Sequence, residues 1–159
     1  MIGKTDMVDD SNLDIIIEEK EKYPVKDLLE TFKWVGKTPS ELEIDEKYLD
    51  DIGFAIKGKI FEAKADGTIT FDLKDTSKKI VHDVTVYVYE KDLPFVRCLE
   101  KLNEIYSEPD SSGEEPYAEA NGGTVIWFSF YTGKGIVHIS MGENNTFYTI
   151  RYRKTPKPE

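Results

Sequence analysis

The chain has 159 residues, 39% of them hydrophobic and 12% aromatic, enough for one domain with a sizeable core and too few for two independent ones. A net charge of −10 repels phosphate backbones and excludes a nucleic-acid binder unless the few basic residues cluster tightly. No apolar run approaches the roughly 18–20 residues of a membrane-spanning helix, and a lone cysteine, Cys98, allows no intramolecular disulfide.

Residues 1–22 carry seven acids against three lysines and read as an acidic, partly disordered arm, in which "LDIIIEE" can add a short helix or an edge strand. From Pro24, "PVKDLLETFKWV" spaces Val25, Leu28, Leu29, Phe32 and Val35 as one face of a helix, with Pro24 at its start and Gly36 at its stop. A connector follows, with a helical turn around 44–49. Strands are expected over 55–63, 68–73 and 81–89, with "KADGT" and "KDTSKK" as the turns between them. Asp92 is placed to cap a second helix, "LPFVRCLEKLNEIY", with Phe95, Cys98, Leu99, Leu102 and Ile105 on one face. A polar loop, 107–123, leads to strands over 125–131, 135–141 and 146–153, and the last residues, 155–159, read as a tail.

The fold expected is therefore α+β: two helices on one face of an antiparallel sheet of about six strands, in one domain, 23–154. The order helix, strand, strand, strand occurs twice, over 24–90 and 93–154, which suggests a duplicated αβββ unit. A helix ending in "YSEP", a polar loop, the aromatic strand "WFSFY" and two hairpin strands resemble small exported bacterial domains. Those share the tandem-repeat fold of the beta-lactamase inhibitor protein family. The resemblance implies an extracytoplasmic location, as a trimmed lipoprotein or secreted domain, rather than a cytoplasmic one. It also implies a concave sheet face, left free by the helices, that binds a partner protein. It carries no functional residue over.

Alternation along the strands sorts the two faces of the sheet. The inward set is apolar: Ile56, Ile60, Ile69, Phe71, Leu73, Val84, Val86, Val88, then Ile126, Phe128, Phe130, Val137, Ile139, Met141, Tyr148, Ile150 and Tyr152. The outward set holds Lys57, Lys59, Tyr87, Tyr89, Trp127, Tyr131, His138, Arg151 and Arg153, and so two of the three arginines of an acidic chain. Aromatics with arginine dominate protein-binding hot spots, because they bury much area with few rotors and pair well with carboxylates. These nine are the candidate partner-binding residues, for a protein with an acidic or mixed surface. The same residue types also suit the wet face of any antiparallel sheet, and loop 107–123 could fold over Trp127.

Nothing in the sequence assembles a nucleophile with a base or a cofactor cradle, so no enzyme, cofactor or metal is expected. His82 and His138 are too few for a histidine-rich metal site; a mixed site with Asp83 or Glu119 is the remaining option. "TGKGI" lacks the spacing of a phosphate loop. The function expected is a non-catalytic binding or inhibitor-like module, monomeric or weakly dimeric, with no transmembrane segment. The alternative is an immunity-type protein that covers a basic toxin site with Glu41, Glu43, Asp45, Glu46, Asp50 and Asp51; a third reading, an enzyme of unknown class, would require a deep pocket with convergent polar groups.

Overall fold

A computed structural model describes residues 21–75, 77–116, 123–143 and 145–154. The arm up to residue 20, the loop tip 117–122 with Glu119, Thr76, Asn144 and the tail 155–159 lie outside the described residues.

Eight strands make one sheet: β1 (Tyr23–Val25), β2 (Gly53–Ile60), β3 (Ala63–Phe71), β4 (Val81–Tyr89), β5 (Ser111–Pro116), β6 (Thr124–Tyr131), β7 (Ile136–Gly142) and β8 (Phe147–Arg153). Their spatial order is β1-β2-β3-β4-β8-β7-β6-β5. The β1–β2 pair is parallel and all the others are antiparallel, so the sheet is mixed. Among the described residues helix is confined to α1 (Phe95–Tyr106) and two 3-10 stretches, Leu28–Trp34 and Glu46–Tyr48. This corrects the expectation of two helices on a six-stranded antiparallel sheet, and of two like αβββ units: the protein is predominantly sheet.

Each departure has a local cause. "PVKDLL" does not start a helix, because Tyr23–Val25 joins the sheet beside Gly58. A Cβ at Gly58 would stand 1.9 Å from the Val25 carbonyl oxygen, so only glycine lets β1 approach. Further on, the Gly36 N–H donates to the Val81 carbonyl at 2.8 Å and the Val81 N–H to the Lys37 carbonyl at 2.9 Å. The apolar stretch is thus held at both ends, and seven residues remain for a 3-10 helix. Its start is capped by Asp27, which accepts the Leu29 N–H at 3.1 Å.

The "KADGT" turn is also displaced. Register pairs Ile60 with Ala63, leaving Phe61 and Glu62 as a two-residue turn at φ 48° and 73°, while Gly67 sits inside β3 against Ile56. Asp92 does not cap α1; the Glu90 carboxylate accepts the Phe95 N–H at 2.7 Å instead. The loop expected at 107–123 contains β5, a strand with no apolar alternation. It forms by pairing along β6 and is pinned where the Asp110 carboxylate accepts the Tyr131 N–H at 2.6 Å.

The core lies between the sheet's inward face and the helical segments. Leu28 and Phe32 pack there from the 3-10 stretch, and Phe95, Cys98 and Leu102 from α1. Phe32 stacks on Tyr152 at 5.1 Å and Phe95 meets Tyr148 edge-on at 5.3 Å. The expected inward residues of β2, β3, β4, β7 and β8 are buried, Met141 partly so. Each large side chain removed from water here contributes about 1.5–3 kcal/mol. Leu73, past the end of β3, and Ile126 are exposed instead, and so is Ile105 in the last turn of α1.

Candidate functional site

With α1 and the 3-10 stretch both on the inward face, no described helix covers the other face of the sheet. Across β6, β7 and β8 the register brings four of the nine outward candidates together. His138 stands between Ser129 on β6 and Arg151 on β8, while Trp127 and Arg153 lie one step along on either side. The Trp127 and His138 rings stack at 5.6 Å with a 27° tilt. The Ser129 hydroxyl and His138 Nδ1 are 2.8 Å apart. Burial pulls the His138 pKa below its ordinary value, helped by the Arg151 and Arg153 guanidiniums and opposed by Glu115. The imidazole is therefore neutral at pH 7.

On its other side, the Trp127 indole lies over Gly113 of β5, where an added Cβ would come within 2.9 Å of Cζ2. The polar loop thus flanks Trp127 as an edge strand, and Gly113 is the residue that gives the ring room. Tyr131, at the far end of β6, is exposed.

No family model, curated protein or solved structure matches this chain.

The two arginines differ in state. Arg151 donates through Nε and Nη2 to Asp83 Oδ2, at 3.2 and 2.5 Å. Asp83 is only 4% exposed, although it sits on the outward face of β4. Arg153 lies directly opposite Asp83 in the ladder, yet that carboxylate is taken by Arg151. Among the described residues Arg153 has no ion pair and is exposed.

A second aromatic group occupies the other end of the central strands. Tyr87 and Tyr89 meet Phe147 edge-on at 6.3 and 6.4 Å, and Lys91 Nζ stands 5.9 Å from the Tyr89 ring. Phe147 was missed from the outward set although its odd number puts it in phase with Thr149, Arg151 and Arg153. Lys57 and Lys59 are not part of either group. They sit on β2, three strand spacings or roughly 14 Å from β8.

Chemically, Ser129 and His138 have the contact of a nucleophile and a base. The arrangement stops there. Arg151, Arg153 and Glu115 all act on the ring, yet among the described residues none is hydrogen-bonded to it, whereas a catalytic histidine is oriented by a carboxylate or carbonyl that accepts from its other nitrogen. Ser129 is mid-strand, paired with both Ser111 and His138, so the ladder leaves no free N–H pair to hold an oxyanion. Asp83 is committed to Arg151, and His82 Nδ1 lies 3.7 Å from the same carboxylate oxygen. No group of three or more metal-ligating side chains occurs among the described residues. No described helix is long and apolar enough to cross a membrane.

Proposed function

We infer that this chain is a non-catalytic binding module whose partner is a protein held on the β6–β8 end of the uncovered sheet face. The observation that carries the reading is Arg153. It is an exposed guanidinium without an acidic partner among the described residues, beside a stacked Trp127–His138 pair and the exposed ring of Tyr131. A side chain of this kind gains most when a partner's carboxylate meets it and nearby rings exclude water. Arg151, tied to Asp83, acts as a fixed wall beside it rather than as a second free charge.

Trp127→Ala/Arg153→Gln tests the reading, the neutral glutamine placing no like charge opposite Asp83. Both side chains point away from the core, so near-native stability is expected. The measurement is capture from envelope and cytosolic extracts of the source cells, with the retained protein identified and its affinity for the purified chain then measured by calorimetry. A partner lost by the double variant and restored by Arg153→Lys to within about tenfold supports the site. A partner held equally by wild type and variant overturns it, and loss with salt alone would move the contact to the acidic stretch 41–51.

A further inference from the structure

A groove opens at the opposite edge of the sheet, about 1120 Å³ in volume and open to solvent. Its apolar lining comes from four places: Val25 of β1, Leu29 of the 3-10 stretch, Phe61 of the β2–β3 turn and Ile105 of α1. Ile105 is 51% exposed, because the last turn of α1 reaches past the core and over this groove. Phe61 holds a left-handed backbone conformation, at φ 48°, that costs a bulky residue energy, and its ring faces Lys101 at 5.8 Å.

The charges around it are unbalanced. Lys26, Lys57, Lys59 and Lys64 line the groove, and none has an ion pair among the described residues. Of the three acids in the lining, Asp27 caps Leu29 and Asp66 pairs with Lys22 at 3.3 Å, leaving Glu62. Lys59 and Lys64 stand directly opposite each other on β2 and β3. Like charges in that relation destabilise a sheet. In a chain of net charge −10, four uncommitted lysines around an apolar floor are a local reversal that folding does not require.

We propose that this groove binds an extended acidic peptide segment of a partner, its carboxylates on Lys57, Lys59 and Lys64 and an apolar side chain against Ile105, Leu29 and Phe61. The groove runs from the outward face of β2 and β3 around the sheet edge to the end of α1, a shape that suits a chain rather than a compact ligand, which needs an enclosed site. Strand addition along β1 is not the mode, since Pro24 offers no N–H at the middle of that edge. The site is separate from the Trp127 end and does not rest on the function proposed for it.

The test is fluorescence anisotropy with a labelled peptide of about ten residues, glutamates interrupted by two leucines, titrated with the full chain at low and moderate salt. Lys59→Glu/Lys64→Glu keeps a like-charge pair at the same register, so its stability matches wild type while the local field is reversed. The proposal expects at least tenfold weaker binding for this variant and for Ile105→Asp, and unchanged binding for Trp127→Ala. The single change Lys59→Glu, which creates an opposite-charge pair with Lys64, should raise the melting temperature while weakening binding. No binding by wild type, or equal binding by Lys59→Glu/Lys64→Glu, overturns the proposal. So does equal affinity for a peptide of glutamate alone, which would reduce the groove to unspecific attraction. Tighter binding of an oligothymidylate of the same length would make the occupant a nucleic acid.

Discussion

Arg151→Ala should destabilise the protein far more than Asp83→Ala, although each removes the same ion pair. Asp83 is buried and Arg151 is 49% exposed in its side chain, so the two truncations leave different remnants. Without Arg151 the Asp83 carboxylate keeps its burial and loses the donors at 2.5 and 3.2 Å, and stranding a buried charge costs about 3 kcal/mol. Without Asp83 the guanidinium turns to water, and the loss is about 1 kcal/mol. The double variant should fall near the Asp83→Ala value, giving a coupling energy of about 3 kcal/mol in the cycle. Urea unfolding with unchanged m-values measures all four proteins. For a chain of this length the Arg151→Ala loss corresponds to roughly 6–12 °C in melting temperature. Equal losses for the two single variants, or a larger one for Asp83→Ala, would show that the carboxylate is not held out of water and would refute the argument.

His138 should titrate below its ordinary value of about 6.5, and Arg153→Gln should raise its pKa by removing one of the depressing charges, as read by NMR. Because the folded pKa is the lower one, the unfolded chain binds the proton more readily. The associated stability is present above about pH 6.5 and is lost as pH falls from there through the lower folded pKa, less so in Arg153→Gln. Burial pushes the Cys98 thiol up to about 11, so at pH 8 a disulfide reagent should label it more than about a hundredfold more slowly in the native protein than in urea. Leu102→Ala should cost about 2–5 kcal/mol in urea unfolding, whereas Ile105→Ala on the same helix should stay within about 0.5 kcal/mol, since only Leu102 is buried.

Much of the candidate face was legible from alternation alone. Trp127, Tyr131, His138, Arg151 and Arg153 fall on one side because a strand turns each successive side chain over, and the apolar partners Phe128, Phe130, Val137 and Ile150 leave a single choice of inner side. Phe147 follows from the same parity and was within reach. The state of each charge was not. Asp83 lies 68 residues from Arg151, and only the antiparallel β4–β8 pairing makes it the acceptor that occupies Arg151 and leaves Arg153 exposed. Nor did the sequence separate Lys57 and Lys59 from Trp127, since phase along a strand carries no information about which strand lies beside which.

The sequence by itself determined most of the inward and outward sets of the strands and, but for Ile105, the buried face of α1, because these depend on periodicities of 2 and 3.6 that the backbone imposes locally. Tertiary structure decided what the local pattern left open. A helical spacing at 28–34 became 3-10 because hydrogen bonds to Val81 close one end and β1 claims the other. A polar segment, Ser111–Pro116, became a strand because β6 offered an unpaired edge, and its backbone groups bond whatever the side chains are. Parity and amphipathicity are properties of a segment, whereas edges, end contacts and charge partners exist only once distant segments meet.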